Sequence, residues 1–493
     1  SPGYMDADYY YSTAVRIAKG EGLSEPFLWN YLHRPESLPQ PSHAYWKPLP
    51  TFISLLGMLI TGSVSYAAGK IGFVFLASVI PPLTAHLTYV LSGKTRAAWL
   101  AGLLACFSAF YLPFLPVPDA FSPVMVLGAL YFLALGWKKG GKGAFVLGVI
   151  CAGLQLARAE GAIWLAVAAV AYWLQRRKEI GEYAGLFLGY GLAFGPWALR
   201  NRAVFGNFFG PGGLKTLWLT EYDQLFLFQT EKLSFQTWRA QGGWEILADR
   251  GWALGINLQT VLAVQAVIFL LPFILWGIWK KWHRVEVRAG AGSWFMLVLV
   301  MTVLFPFPGA RGSFFHAGAV LQPLFWALAA CGFQAFVEWG ERTRSWKSTS
   351  AWQIMGTGLI IIDLALSGFI VYQRVADQKD GVRVWNLPQK RYRMIEEQLI
   401  TSGVAKDELV MVKNPPGYYA ANRRAGIAIP YDGLEAVQTA AQRFGADYLI
   451  LEKDHPQALD TVYEQPLQFD ELEYLFTVED TICFSIMTEG LDE

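Results

Sequence analysis

Residues 96–139 read RAAWLAGLLACFSAFYLPFLPVPDAFSPVMVLGALYFLALGWKK, two apolar runs that open on Arg96, close on Lys138 and Lys139, and meet at Pro118-Asp119. Each run approaches the roughly 20 residues that carry a helix across the hydrocarbon of a bilayer. The pair therefore reads as a hairpin, with its basic ends on one side of a membrane and its tip on the other. An aspartate deep in hydrocarbon costs about 2.5 to 3.5 kcal/mol. Asp119 at this tip is either an N-cap for the helix that begins at Ala120 or a residue kept for its chemistry.

The same alternation runs through the chain. Of 493 residues, 54% are hydrophobic and 16% charged, too few polar side chains to cover a soluble globule. Apolar runs at about 67–91, 97–113, 119–137, 143–157, 161–174, 182–199, 257–279, 290–307, 314–337 and 351–373 predict ten crossings. Every second loop is basic: Lys94 and Arg96; Lys138, Lys139 and Lys142; Arg176, Arg177 and Lys178; Lys280, Lys281, Arg284 and Arg288; Arg342, Arg344 and Lys347. These loops belong to the cytoplasm, so the alternate loops face outward. The apolar stretch Pro50–Thr61 would break that alternation as a crossing and is expected to lie along the outer surface, with Trp46 and Lys47 in the headgroup zone.

The fold class expected is a polytopic α-helical membrane protein with a small C-terminal extracytoplasmic α/β domain. Residues 1–66 form a first outer loop with a juxtamembrane helix. Residues 67–373 form the bundle, which includes an outer loop at 200–256. In residues 374–493, charged helical stretches at Arg391–Thr401 and Leu434–Phe444 alternate with the short apolar runs Glu408–Val412, Gly426–Ile429, Tyr448–Leu451 and Thr481–Met487. A polar stretch, Gln373–Arg383, is the linker. The location this implies is a cell membrane crossed many times, a prokaryotic inner membrane, with the chemistry outside. The chain opens at Ser1 in a polar, tyrosine-rich stretch, so a further membrane helix is expected before it.

A net charge of +1 argues against nucleic acid as a partner. Cys106, Cys151, Cys331 and Cys483 show no spacing that suggests a disulfide framework or a zinc site.

The ionisable residues on the outward side carry the functional reading. Asp6-Ala7-Asp8-Tyr9-Tyr10 opens a helix-like stretch that stops at Gly20 and Gly22. Its two carboxylates either cap that helix or act as acids and bases. Lys47, in the run His43 to Pro50, either snorkels at the interface or holds a lipid phosphate. Arg158-Ala159-Glu160-Gly161 forms an outward tip, and Arg311 to His316 forms a second cationic turn. Both suit an anion, although Arg158 and Glu160 also make a plain ion pair and His316 reads as a packed histidine. Arg200 and Arg202 end another crossing and equally suit lipid headgroups.

Together, outward acids (Asp6, Asp8, Asp119) and outward cations (Lys47, Arg158, Arg202, Arg311), with Tyr10, Glu160 and His316 as possible substrate contacts, fit one reaction. In sugar transfer from a polyprenyl phosphate, cations hold the charge growing on the leaving phosphate and one carboxylate takes the proton of the attacking hydroxyl. Phosphate leaves well unprotonated, so the second carboxyl group that glycoside hydrolysis needs as an acid is not required. A single displacement inverts the anomeric carbon. Two aspartates are also enough to hold a divalent ion, which this reaction does not require, and no cofactor is expected.

In the order of these segments the chain resembles the GT-C superfamily of polyprenyl-phosphate-sugar glycosyltransferases, in particular protein mannosyltransferases and the lipid A aminoarabinose transferases. Members carry an Asp-Glu-x-x-Tyr stretch in the first outer loop, a Lys-Pro-Pro-like turn before a surface helix, an aspartate opening the second outer loop, and a cationic tip after it. Here these look like Asp6 to Tyr10, Lys47 to Pro50, Asp119 and Arg158. The resemblance implies Asp6 as catalytic base, Asp119 as its partner, and Lys47 and Arg158 as ligands of the donor phosphate. Ala7 replaces the family's glutamate and Asp8 stands one residue beyond, so Asp6 and Asp8 share the catalytic assignment. The donor implied is a membrane-embedded polyprenyl-phosphate sugar, and the acceptor a lipid, a glycan or a protein. The main rival is a polyprenyl-lipid or glycolipid flippase, which also places charges beside helices. A second rival is a sensor whose C-terminal domain binds through Asn414-Pro415-Pro416-Gly417-Tyr418-Tyr419 and Asn422-Arg423-Arg424, a stretch that equally reads as a turn.

Overall fold

The computed structural model describes residues 1–137, 140–175, 179–379 and 381–487. Lys138, Lys139, Arg176, Arg177 and Lys178, used above to orient the bundle, lie outside the described residues. Each apolar run is helical: Tyr66–Ser92, Thr95–Phe107, Phe121–Leu135, Gly140–Ala157, Ala162–Leu174, Ile180–Phe205, a broken pair ending at Lys281, Val285–Leu304, Pro306–Arg344 and Ser348–Ala376.

Among the described residues, five helices are long and apolar enough to cross a membrane: Tyr66–Ser92, Gly140–Ala157, Val285–Leu304, Pro306–Arg344 and Ser348–Ala376. The remaining runs depart from simple spans for local reasons. Thr95–Phe107 stops after 13 residues, because Ser108 and Ala109 take left-handed φ values of 32° and 41° and a proline-rich tip follows. Phe121–Leu135 starts past Asp119, which therefore sits in the turn and not in the helix. The run expected at 257–279 is interrupted around Val267 and Ile268, again at positive φ, and its first helix begins at Gly243, inside the expected outer loop.

The helical core centres on Phe121–Leu135 and the long Pro306–Arg344 helix, most of whose apolar residues are buried. Some polar residues in this core serve bends of the backbone. Ser367, for example, accepts from Ala109 N at 3.0 Å and so satisfies a donor freed by the kink after Phe107.

The C-terminal α/β domain is built on a six-stranded sheet in the order Phe27–Leu28, Gly426–Ala428, Leu409–Val412, Ala446–Leu451, Thr481–Ile486, Leu472–Val478. The first four strands run parallel to one another, and Thr481–Ile486 pairs antiparallel with both of its neighbours. One edge strand thus comes from the first loop: Phe27 pairs with Gly426 and Leu28 with Ile427. An exposed parallel edge leaves backbone groups unpaired, and two residues of the N-terminal loop cover it here. The expected division at 66 and 374 is therefore bridged by main-chain hydrogen bonds. Leu49–Thr61 (helix α2; α1 is Met5–Ala18) packs beneath α1, with Met58 buried against Tyr11 and Val15.

Candidate active site

Helix α1 starts after Tyr4, whose extended backbone turns into the helix with no side-chain cap. Asp6 and Asp8 lie in the first turn, where they complement the helix dipole, but neither caps the helix with a side-chain hydrogen bond. At 100° per residue they leave the helix on opposite sides. Asp6 faces the bundle. Asp8 is buried on the other face, where Asn414 Nδ2 donates to its Oδ2 at 3.3 Å.

Asp119 is buried to 1% exposure in the turn before Phe121. Its Oδ1 accepts from Ala120 N at 2.5 Å, and its Oδ2 accepts from the Tyr4 hydroxyl at 2.6 Å. His316 reaches the same place from the long Pro306–Arg344 helix. Its Nε2 lies 3.3 Å from Asp119 Oδ2 and 3.7 Å from Asp6 Oδ2, and ligand atoms of all three residues fall within 4.8 Å of one another. A carbonyl cannot donate, so His316 Nδ1, 3.0 Å from Gly312 O, carries a proton. That leaves Nε2 to face the two carboxylates, the tautomer a metal-binding histidine uses. Gly312 supplies this carbonyl from φ 134°, a conformation that a side chain disfavours. Phe121 stacks on the imidazole with centroids 4.2 Å apart.

The two separations from His316 Nε2 suit a divalent cation, while the three ligand atoms as a group lie within 4.8 Å of one another. Two ligands about 2.2 Å from one ion at near-octahedral to tetrahedral angles stand about 3.1 to 3.6 Å apart, close to the 3.3 and 3.7 Å seen here.

Asp6 differs from Asp119 in its surroundings. Its side chain keeps 28% exposure, and burial, reinforced by the Asp119 charge, pushes its pKa up to about 6. Tyr10, one turn along α1, is buried among Asp119, Asp6, Arg158 and Glu160, and its phenol is held well above its usual value, first by burial and then by the carboxylates. Arg158 and Glu160 form a short ion pair at the rim, and Arg158 acts electrostatically on both Asp6 and His316.

Other expected residues fall elsewhere. Lys47 is buried at 8% exposure and donates to Phe209 O at 2.6 Å; burial lowers its pKa to about 8 against the opposing pull of Glu160. Arg202 is exposed, bonds to Gly206 O and closes the end of its own helix. Arg311 lies over the Tyr222 ring at 4.8 Å. Asp8 is not part of the cluster, and His316, read from sequence as a packed residue, is at its centre. Tyr4 is not among the expected site residues, and Gly312 is expected only as part of the Arg311 to His316 turn. The one usable signal was a histidine within an otherwise apolar membrane run.

No protein-family model and no curated sequence matches the chain. Solved structures do. The chain superposes on the Archaeoglobus fulgidus oligosaccharyltransferase in complex with Zn and sulfate with TM-score 0.55 at 14% identity, covering 98% of this chain and 69% of that one. It superposes on ArnT from Cupriavidus metallidurans bound to undecaprenyl phosphate with TM-score 0.56 at 9% identity, covering 97% and 93%. Archaeoglobus fulgidus AglB in complex with an inhibitory peptide and a dolichol-phosphate gives TM-score 0.54 at 11% identity, covering 99% and 71%. The shared property is the fold: a polytopic helical bundle with a C-terminal α/β domain.

Proposed function

We propose that this chain is a GT-C-type glycosyltransferase that moves a hexosyl or pentosyl group from a polyprenyl-phosphate donor to an acceptor hydroxyl, with inversion, on the extracytoplasmic face of a prokaryotic inner membrane. The observation that carries the reading is the convergence of Asp6, Asp119 and His316 at one end of the bundle. Support also comes from the fold shared with structures that hold undecaprenyl phosphate or dolichol-phosphate.

Asp119 already accepts from Ala120 N and the Tyr4 hydroxyl, so it is the anchor. Asp6 has the free lone pairs and a pKa near 6, so it is the base that takes the acceptor proton. As the acceptor oxygen bonds to the anomeric carbon, the bond from that carbon to the phosphate oxygen breaks, and the proton moves to an Asp6 oxygen. Arg158 lies beside the cluster and stabilises the departing phosphate. Lys47 joins it once its bond to Phe209 O is exchanged for a phosphate oxygen. A divalent cation held by Asp6, Asp119 and His316 would supply positive charge at the leaving group. Arg202 and Arg311 are assigned to lipid headgroups and to the outer loop.

The test is release of free polyprenyl phosphate from a panel of labelled polyprenyl-phosphate sugars by purified protein in lipid nanodiscs. Release with sugar transfer supports the reading. Movement of the intact lipid between leaflets of proteoliposomes without release would replace it with the flippase.

A further inference from the structure

The face of α1 opposite the cluster is gripped by the C-terminal domain. Asp8, 7% exposed, receives a hydrogen bond from Asn414 Nδ2 at 3.3 Å. The other end of the same amide, Asn414 Oδ1, accepts from Gly417 N at 3.0 Å and caps the Pro415–Asn422 helix. Approach is closest at Gly417, where a Cβ would stand 2.8 Å from Asp8 Oδ2 and 2.3 Å from Asn414 Nδ2. One turn further along α1, the Arg423 guanidinium lies 5.7 Å from the centre of the Tyr11 ring and 5.3 Å from that of Tyr419. Tyr419 packs on Phe27 at 5.4 Å, and Phe27 belongs to the strand that the first loop lends to the sheet.

Asp8 and Tyr11 are three residues apart and so share one side of the helix. The contacts therefore fix both the depth and the rotation of α1, on which the position of Asp6 depends. None of these groups reaches the reacting atoms. A displacement of about 1 Å in a catalytic group can cost on the order of a hundredfold in rate.

We propose that the Asn414–Gly417 turn is a positioning element: through Asp8 the C-terminal domain holds α1 where Asp6 meets Asp119 and His316. This rests on the functional reading above. The turn that the sequence left as either a receptor loop or an ordinary corner thus has a third role, and the Asp8 carboxylate positions the base instead of being one.

The test uses the full chain in nanodiscs, with Gly417→Ala, Asn414→Asp and the exchanged pair Asp8→Asn with Asn414→Asp. Three quantities are read: hydrogen exchange of residues 5–18, Mn²⁺ affinity, and kcat and KM for donor consumption. Gly417→Ala pushes a methyl against Asp8, and Asn414→Asp sets two carboxylates face to face. Both should speed exchange in α1, weaken Mn²⁺ binding and lower kcat about tenfold or more, with KM little changed. The exchanged pair rebuilds one amide–carboxylate bond and should recover most of each loss. Folded single variants with wild-type exchange, Mn²⁺ affinity and kcat would overturn the proposal, as would an exchanged pair that recovers nothing. If the wild type consumes no donor, the functional reading falls, while exchange and Mn²⁺ binding still decide the positioning claim.

Discussion

The Tyr4 hydroxyl donates to Asp119 Oδ2 at 2.6 Å and so ties the start of α1 to a turn 115 residues downstream. This bond holds the anchor carboxylate from the side opposite Ala120 N and leaves Asp6 as the carboxylate with lone pairs to spare. A hydrogen bond to a charged partner is worth about 1.5 to 3 kcal/mol, so Tyr4→Phe should lower kcat for donor consumption by about tenfold to a hundredfold. KM should move little, because Tyr4 is bonded within the protein. Steady-state kinetics on the folded variant checks this, and an unchanged kcat would remove Tyr4 from the site.

Gly312 orients His316 through a carbonyl that only its φ of 134° presents. Among the described residues, nothing outside its own stretch of chain lies within 4 Å of a Cβ built there, so Gly312→Ala acts through the backbone and not through a clash. Groups that orient a metal-binding histidine typically contribute about tenfold to a hundredfold to affinity. Mn²⁺ titration followed by electron paramagnetic resonance should show a loss of that size in Gly312→Ala and a larger one in His316→Ala.

Glu25 gives the fold a pH dependence away from the reacting groups. It is 3% exposed, bonded to the Tyr9 hydroxyl and to His43 N at 3.0 Å, and burial raises its pKa from 4.5 to about 8. The folded state therefore binds the Glu25 proton more tightly than the unfolded chain. The contribution of this group to stability is greatest below about pH 4.5, falls as pH rises through the window to about 8, and is constant above it. Thermal unfolding of wild type and Glu25→Gln over that window should show a steeper decline in the wild type. Parallel profiles would contradict the shift.

Much of this was legible in the sequence. The Asp119 turn, the Asp6 helix, the Arg158–Glu160 tip and the α/β tail follow from apolar run length, loop charge and Gly or Pro punctuation, all of which act over a few neighbouring residues. What stayed hidden depends on contacts between distant segments. Asp6 and Asp8 are equivalent in a string and differ only because a helix sends them to opposite sides, one toward His316 and the other toward Asn414. The role of His316 required a histidine 197 residues beyond Asp119 to return to it. The two-residue strand Phe27–Leu28 has no pattern of its own and exists because a sheet edge needs a partner.

That difference between two neighbouring aspartates is the most direct test of the account. Release of polyprenyl phosphate from a sugar-loaded donor should be compared in wild type, Asp6→Asn and Asp8→Asn, all in nanodiscs. Asp6→Asn should lose release by a factor of about a thousand or more, the size expected when a base and charge-stabilising group is removed. Asp8→Asn, which keeps an amide partner for Asn414, should stay within about tenfold of wild type, consistent with one surviving neutral hydrogen bond. Equal losses in the two variants, or a greater loss in Asp8→Asn, would contradict the assignment of Asp6 as the base.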